Sequence, residues 1–397
     1  MNTRSLIATG IICATVIATA ALLSNAGPLS PPAGPIAPTN KTLSEVEPRI
    51  AVNATNTPGD NDITPSLFKI SQPGSYYLTG NITGVASKNG IEIAASNVTL
   101  DLNGFTLQGV AGSLDGVFVS VFALGVAVEN GVAAGWGGDG VDLLNASKST
   151  LRSVRANGNG LAGLTIGFSS VVDACVASGN GSTGISTGAS CTIANSSAEG
   201  NSGSGISAST GVLIIACAAR SNALFGVFAS SGSHVSQSTA ASNTGDGFFL
   251  GSGSVISGCS ATSNGDDGIA ASSGGTIVDN AAAFNTGDGI QASGDSLVRG
   301  NACASNGSAG NGAGIHTISS DNRVEGNSVT DNDRGIDVDS AGNFIVSNSA
   351  SGNTINYDIV INNKVGLIVA APNSLAISGS TGGAGLSTTR AWANFSF

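Results

Sequence analysis

Carboxylates recur at a fixed spacing in one part of the chain. Asp246, Asp267 and Asp288 are 21 residues apart, each immediately precedes a glycine, and Asp266 lies beside Asp267. If this step stacks the side chains about 4.8 Å apart, each pair repels by about 0.9 kcal/mol in bulk water. A bound Ca²⁺ would turn that repulsion into attraction, because carboxylate oxygens are its preferred ligands. The spacing therefore predicts a candidate metal site at Asp246, Asp267 and Asp288.

The same group offers acid and base chemistry. Glycoside hydrolysis uses a pair of carboxyl groups, and the candidates for such a role are Asp246, Asp266 and Asp267. An ordinary explanation stands beside both hypotheses, because aspartate next to glycine is common in turns. Asp115 and Asp139 repeat the arrangement earlier in the chain, so the alternatives remain open at this point.

A 21-residue repeat must position these aspartates. An apolar residue directly follows a glycine at seven positions in constant step: Leu164, Ile185, Ile206, Val227, Phe248, Ile269 and Ile290. Two further apolar columns keep this step, one from Val172 to Val298 and one from Ala177 to Cys303. Three apolar columns per period predict three short strands per coil, which is a parallel β-solenoid.

A fourth column consists of asparagines where the chain must turn: Asn159, Asn180, Asn201, Asn222, Asn243, Asn264 and Asn285. Asparagine tolerates the left-handed backbone region, and its amide both donates and accepts hydrogen bonds. Copies stacked at strand spacing would bond along the axis. We therefore expect a structural asparagine ladder.

A leucine-rich repeat is the main alternative at this period. Leucines are too few for several per coil, and no segment of the repeat has a helix-forming composition. The column pattern therefore favours the β-solenoid.

Composition excludes some classes of partner. The 397 residues include 58 glycines, only 10% are charged, and the net charge is −11 with a pI near 4.4. This charge disfavours nucleic acid and anionic membranes as partners. An acidic polysaccharide held through a cation is still allowed.

The N-terminal residues 1–26 resemble an export signal. Arg4 precedes an apolar run from Leu6 to Leu23, and Ser24-Asn25-Ala26 offers a cleavage site. We expect a secreted or cell-surface protein with no integral membrane domain after cleavage. A retained anchor is the alternative, since such a run just reaches the length of a membrane span.

The rest of the chain divides by composition. We expect a proline-rich linker at 27–40, an N-terminal cap at 41–74, the solenoid at 75–365 and a C-terminal cap or tail at 366–397. The solenoid should have roughly 11–12 coils of about 21 residues and form a monomer.

Coils that depart from this period indicate loops, which commonly carry function. One loop region is 109–140, with Phe118, Phe122 and Trp136, and the other is 307–312. The aromatic side chains there either stack on sugars or are partly buried.

The mature cysteines do not suggest a disulfide framework. Cys175, Cys217 and Cys259 are 42 residues apart, which places them two coils, or about 9.6 Å, from one another. We expect these cysteines, with Cys191 and Cys303, to be small buried residues.

Two segments and the repeats carry a family resemblance. Residues 73–82 read PGSYYLTGNI, residues 97–105 read NVTLDLNGF, and the repeats continue to Ile345. The chain thereby resembles secreted right-handed parallel β-helix proteins of the pectate-lyase-like superfamily, in particular bacterial exported ones of unassigned function. This resemblance implies an all-β, right-handed parallel β-helix, but it does not imply an activity.

Closer comparison with two enzyme families is incomplete. Asn243-Thr244-Gly245-Asp246 followed by Asp266-Asp267 looks like the carboxylates of polygalacturonases. That family's Gly-His-Gly and Arg-x-Lys are missing, and the only histidines are His234 and His316. Pectate lyases use Ca²⁺-binding aspartates with an arginine base, and no arginine here matches their motif.

The sequence therefore leaves three functional hypotheses. The first is an exported β-helix that binds polysaccharide or a cell-surface partner without its own catalytic centre. The second is a divergent carbohydrate-active enzyme, either a Ca²⁺-dependent polysaccharide lyase or a glycoside hydrolase, that uses the aspartate column. The third is a structural, adhesin-like spacer.

Overall fold

The computed structural model describes residues 49–308, 310, 312–370 and 391–397. The expected export signal and linker lie outside the described residues, as do most of the expected cap before Arg49 and residues 371–390 of the tail. In the described part of the chain, no helix is long and apolar enough to cross a membrane.

The first strand of each coil belongs to one 15-stranded sheet, here called sheet 1. Its strands are Pro58–Asp60, Ser66–Ile70, Asn89–Ile93, Val117–Val119, Val141–Leu143, Leu164–Ile166, Ile185–Thr187, Ile206–Ala208, Val227–Ala229, Phe248–Leu250, Ile269–Ala271, Ile290–Ala292, Ala313–Thr317, Arg334–Val338 and Ile355–Ile359.

The second and third strands of each coil together form a 28-stranded sheet, here called sheet 2. Its strands are Ile50–Ala51, Gly74–Tyr77, Ile82–Thr83, Val98–Asp101, Thr106–Gln108, Ala127–Ala134, Thr150–Asn157, Val171–Asp173, Val176–Ser178, Thr192–Ala194, Ser197–Glu199, Leu213–Ile215, Ala218–Arg220, His234–Ser236, Thr239–Ala241, Val255–Ser257, Ser260–Thr262, Thr276–Val278, Ala281–Ala283, Leu297–Arg299, Ala302–Ala304, Arg323–Glu325, Ser328–Thr330, Phe344–Val346, Ser349–Ser351, Lys364–Val365, Ile368–Ala370 and Asn394–Ser396. Two short strands, Ala123–Leu124 and Ala146–Ser147, pair separately.

The predicted columns are rows of neighbours in space. Leu164 pairs in parallel register with Ile185, and Ile185 pairs with Ile206. These side chains are buried, as are the neighbouring columns that include Val172 and Ala177. Stacking one coil on the next therefore builds one continuous apolar core, and the fold is the predicted all-β, right-handed parallel β-helix. The leucine-rich alternative is wrong, because the described residues contain strands and no helices.

The solenoid is longer than expected. Every strand of sheet 1 after Pro58–Asp60 stacks in parallel, which gives 14 coils rather than 11–12. Stacking already begins at Ser66–Ile70, which pairs with Asn89–Ile93, so residues expected in the cap form the first coil. The first coils are longer than 21 residues, and this masks their period in the sequence.

The asparagine ladder is present and fully hydrogen-bonded. Asn180 donates from Nδ2 to Oδ1 of Asn201 over 2.9 Å, and its backbone N–H donates to the same oxygen over 3.1 Å. The remaining Nδ2 hydrogen reaches the Ala156 carbonyl at 3.1 Å. The left-handed residue is the one before each asparagine, such as Gly179 with φ of 61°. The asparagine is therefore selected for its amide rather than for its backbone conformation.

A second ladder explains the cysteines. Cys175, Cys217 and Cys259 occupy a turn column that continues as Asn280, whose Oδ1 accepts a hydrogen bond from the backbone N–H of Cys259 over 2.9 Å. All five described cysteines are free and buried, as expected. Sγ of Cys259 accepts the backbone N–H of Ser238 over 3.5 Å, and Sγ of Cys191, in another turn column, accepts that of Ser170 over 3.4 Å. These cysteines therefore take part in ladders along the axis in addition to filling space.

The described part of the tail adds the last strands of the solenoid. The strand Asn394–Ser396 pairs with Ser349–Ser351 and Ile368–Ala370. Oδ1 of Asn394 accepts a hydrogen bond from the backbone N–H of Asn348 over 2.9 Å. The second ladder therefore extends into the tail.

Candidate functional site

The aspartate column lies at the turn that leads into sheet 1. Each aspartate precedes a glycine that the stacking requires: a Cβ built on Gly247 or Gly268 would lie 2.6 Å from the carbonyl oxygen of the corresponding glycine in the next coil. Close backbone approach therefore explains why glycine follows the aspartates.

The aspartates also have a structural role. Oδ1 of Asp246 accepts the backbone N–H of Asp267 over 3.1 Å, and Oδ1 of Asp267 accepts that of Asp288 over 2.7 Å. Asp115 and Asp139 are joined in the same way over 2.7 Å. These hydrogen bonds support the hypothesis that the aspartates stabilise the turns, because one oxygen of each carboxyl group bonds to the backbone of the next coil. The second oxygen is available for other contacts.

Burial makes these carboxyl groups weak acids. Asp246 and Asp267 are each only 7% exposed. Desolvation raises the pKa of Asp246 to about 6. Desolvation, followed by the negative charges of Asp288, Asp246 and Asp266, raises the pKa of Asp267 to about 8, although the Asp288 N–H opposes the rise. The pKa of Asp267 is therefore raised further than that of Asp246.

The structure brings three of the four predicted residues together. One carboxylate oxygen from each of Asp246, Asp266 and Asp267 lies within 4.8 Å of the other two. Here we call these residues the carboxylate triad. Asp288 has a different partner, His316, whose Nδ1 lies 2.7 Å from its Oδ2. The three aspartates predicted to bind a metal are therefore not all together. Asp246 and Asp267 lie with Asp266, whereas Asp288 forms a separate pair with His316.

His316 is a residue that the sequence reasoning missed. Its Nε2 lies 3.1 Å from Oδ2 of Asp339. Burial disfavours its charge, but hydrogen bonds to Asp288 and Asp339 outweigh burial and raise its pKa to about 9. One signal was available in the sequence: His316 directly follows Ile315, which stacks on Ile290, so His316 had to share a row with Gln291.

These groups line one open cleft. Its volume is about 350 Å³, and its walls include Asp266, Asp267, Asp288, Gln291 and His316. The cleft lies on the outer face of sheet 1, whose outward row runs through Phe228, Phe249, Ala270, Gln291 and His316 in register.

Aromatic rings adjoin the cleft on the same face. Phe228 and Phe249 stack with ring centroids 5.5 Å apart, and Phe225 contacts both at 5.8 and 5.4 Å. Here we call these three residues the aromatic platform. All three rings are half-buried, and the next residue in the row, Ala270, is small. The row therefore passes from an aromatic surface to an acidic cleft across one alanine.

A second three-carboxylate group lies near the start of sheet 1. One oxygen from each of Asp60, Asp62 and Glu92 lies within 4.8 Å of the others. Lys69 occupies this group, with Nζ 2.6, 2.9 and 3.0 Å from Asp60, Asp62 and Glu92 respectively. The chain thus provides its own ammonium for this group.

The predicted loop aromatics have different environments. Trp136 is buried and donates from Nε1 to the Leu107 carbonyl over 3.0 Å. Phe118 lines another cleft, of about 360 Å³, with Asp115. Phe122 is 68% exposed and stacks on Phe168, with centroids 6.2 Å apart. Trp136 is therefore a core residue, whereas Phe118 and Phe122 are accessible. Two residues of the predicted loop 307–312 lie outside the described residues.

The arginines form surface contacts. Arg299 stands opposite Glu325 in register, as the column alignment predicts, but Glu325 forms its salt bridge with Arg323. Arg334 donates from Nη1 to Oδ2 of Asp337 over 2.5 Å. No arginine lines the cleft in the described part of the chain.

One protein family matches part of the chain. Residues 225–381 match the family described as right handed beta helix region. No curated protein matches the chain. Similar solved structures include the A-module of Azotobacter vinelandii mannuronan C-5 epimerase AlgE6, at 18% identity and a TM-score of 0.48 over 76% of this chain and 87% of that one.

Two further structures are similar to lesser degrees. The periplasmic alginate epimerase AlgG has 12% identity and a TM-score of 0.42, covering 72% of this chain and 81% of its own. The Dettilon tailspike protein has 14% identity and a TM-score of 0.35, covering 73% of this chain and 58% of its own. With the family match and the stacked coils together, the described chain has the fold of a right-handed parallel β-helix protein.

Proposed function

We propose that this protein is an exported β-helix that binds polysaccharide, or a glycan-bearing component of a cell surface, through the outer face of sheet 1, without a catalytic centre of its own. The observation that carries the proposal is the continuity of the aromatic platform with the acidic cleft in one outward row. Export rests on residues 1–26, and a monomer is the expected form in solution.

The aromatic platform and the acidic cleft match the two kinds of surface that a sugar presents, its apolar ring faces and its hydroxyl groups. Aromatic rings pack against the apolar faces of pyranose rings, and carboxylates, amides and imidazoles bond to hydroxyl groups. The row from Phe228 to His316 crosses four coil steps, or about 19 Å at strand spacing. This length accommodates several consecutive sugar units.

Calcium is the cofactor that this function would use for an acidic polysaccharide. Asp246, Asp266 and Asp267 each offer one oxygen to the same position, and a bound ion needs further oxygens from water or the glycan. A Ca²⁺-dependent rise in thermal midpoint that disappears in the Asp246→Ala/Asp267→Ala/Asp288→Ala variant would support this role.

Binding to a panel of polysaccharides, followed by calorimetry with the best ligand, tests the proposal. Phe249→Ala should weaken binding about tenfold, because it removes a stacking ring. Leu213→Ala, an exposed apolar residue on sheet 2, serves as the matched control and should bind as the wild type does. Equal loss in both variants, or no binding to any glycan, would contradict the proposal.

A second function is favoured by one observation. Asp267 has a pKa of about 8 and lies beside Asp246, with a pKa of about 6, so the triad holds a proton donor next to a base, as glycosidases require. The carboxylate oxygens of Asp246 and Asp267 lie within 4.8 Å of each other. In inverting hydrolases the two catalytic carboxyl groups are farther apart, at roughly 6.5–9.5 Å. New reducing ends, or unsaturated uronate absorbance, that Asp267→Ala abolishes would establish a divergent hydrolase or lyase.

A further inference from the structure

We propose that the cleft around Phe118 is a second glycan subsite, and that this protein binds a long, extended polysaccharide chain that occupies the cleft and the aromatic platform together. This inference rests on the proposed function and narrows its ligand class from any glycan to a long chain. Three observations carry it: the exposed apolar walls of the cleft, the recurrence of the same residue types in the same columns, and the short side chains of the row that joins the two clusters.

The cleft around Phe118, here called the first cleft, has exposed apolar walls. Its volume is about 360 Å³, and Phe118, in the outward row of sheet 1, lines it together with Ile63, Leu114 and Leu161. Ile63 is 99% exposed and Leu161 is 55% exposed. Apolar side chains grouped around one cleft commonly mark a binding site, whereas single exposed ones do not. The first cleft therefore has the character of a site for a ligand with apolar faces.

Hydrogen bonds hold the wall that carries Ile63 in place. The backbone N–H of the next residue, Thr64, donates to Oδ1 of Asp62 over 2.7 Å. The Thr64 hydroxyl donates to Oε1 of Glu92, a residue of sheet 1, over 3.2 Å. Ile63 thus lies on a turn that is tied to the sheet, so the cleft needs less ordering when a ligand binds.

The aromatic platform repeats the residue types of the first cleft. Phe118 and Phe228 occupy the same outward row of sheet 1, five coil steps apart. Leu161 and Leu224 occupy one turn column, joined by backbone hydrogen bonds through the two coils between them, and Leu224 is 54% exposed. A phenylalanine of the row with exposed leucine in the same turn column therefore occurs twice on this face. If the platform binds a sugar, the first cleft offers the same surface to another.

The outward row between the two clusters carries short polar side chains. In chain order they are Asp142, Thr165, Ser186 and Ser207. Their hydroxyl and carboxylate groups can bond to sugar hydroxyls, and none is long enough to block the row. The distance from Phe118 to Phe228 along this row is about 24 Å at strand spacing. An extended chain that leaves the platform can therefore lie on the row and reach the first cleft.

Two subsites on one scaffold favour a long chain over a short one. Once a chain occupies the platform, its second contact is intramolecular, and linking two binding events in this way raises affinity by about 10²–10⁴ when the chain spans both sites. A tetrasaccharide is shorter than the distance between the two clusters, whereas a dodecasaccharide exceeds it. The affinity of this protein should therefore depend steeply on chain length between these two sizes.

Calorimetry with chains of two lengths tests the inference. The probes are the tetramer and the dodecamer of β-1,3-linked glucose, of β-1,4-linked xylose and of galacturonic acid with Ca²⁺, and of any other polysaccharide that the panel shows to bind. We expect the dodecamer of the bound polysaccharide to bind about a hundredfold more tightly than its tetramer. Phe249→Ala should weaken the binding of both lengths, because it removes a ring of the platform.

Two pairs of variants test the first cleft and the row separately. Phe118→Ala should reduce the affinity of the dodecamer toward that of the tetramer. Phe122→Ala is its matched control, because this phenylalanine is 68% exposed and does not line the first cleft. Ser186→Leu places a bulky side chain midway along the row and should also reduce dodecamer affinity. Ser197→Leu, on sheet 2 of the same coil, should bind the dodecamer as the wild type does.

The outcomes separate this inference from the proposed function. Equal affinity for the two lengths, or a length dependence that persists in Phe118→Ala, overturns the second subsite and leaves glycan binding intact if Phe249→Ala still weakens the tetramer. A loss in Phe118→Ala that Ser186→Leu does not share overturns the path along the row. Failure of every oligomer and of every polysaccharide in the panel to bind overturns both the inference and the proposed function.

Discussion

The pH dependence of stability around Asp267 provides a stringent test of the site. In the folded protein the pKa of Asp267 is about 8, against an ordinary value of 3.8. Because its folded pKa is raised, the folded state binds the proton more tightly than the unfolded state does. The resulting contribution to stability is fully present below about pH 4 and is lost as pH rises through 8.

The magnitude follows from the difference in pKa. About four pH units correspond to about 5–6 kcal/mol of unfolding free energy lost between pH 4 and pH 9. Asp267→Asn removes the ionisable group and retains the ladder bond, since an amide oxygen already fills this column at Asn89, where it accepts the Asp115 N–H over 3.0 Å. The variant should therefore be more stable than the wild type at pH 9, by a few kcal/mol, and similar at pH 4.

Thermal and urea unfolding at pH 4, 6, 8 and 9 would measure this effect. Asp246→Asn should show a smaller gain, because the pKa of Asp246 reaches only about 6. Asp295→Asn, at an exposed position, is the control and should follow the wild-type profile. A constant difference between Asp267→Asn and the wild type at every pH would refute the argument that burial and neighbouring carboxylates hold this proton.

Three other predictions follow from the described contacts. Asn222→Ala should lower the unfolding free energy by about 3–5 kcal/mol, because it leaves several buried ladder donors and acceptors without partners; urea unfolding would measure the loss, and a change below 1 kcal/mol would contradict it. His316 should titrate near pH 9 by NMR and should lose its stabilising contribution as pH rises from about 6.5 through 9, because its raised pKa depends on Asp288; titration near 6.5 would disprove the pairing. Cys175, with a pKa raised by burial to about 11, should react with a thiol reagent only after unfolding; fast labelling of the folded protein would show that this column is accessible.

The expected apolar columns and asparagine ladder were confirmed, because both depend only on coils of equal length stacking along one axis. Residues 21 apart become neighbours once strands stack in register, so Leu164 had to meet Ile185, and Asn180 had to meet Asn201. The sequence was less informative where the period changes. The beginning of the first coil, residues 66–74, was expected in the cap, and the expected count of 11–12 coils was too low, because the longer turns of the first coils hide the repeat.

The sequence by itself determined the fold, the apolar columns and the asparagine ladder, since each depends only on a residue's place in the period. Only the tertiary structure decided how neighbouring columns meet across a turn. Asp266 joins Asp246 and Asp267, while His316 reaches 28 residues back to Asp288. Those contacts depend on the path of each turn and on the burial around it, which also determines the proton affinity of Asp267. The spacing of residues along the sequence does not reveal the direction of a side chain or its desolvation, because both arise only when the coils pack.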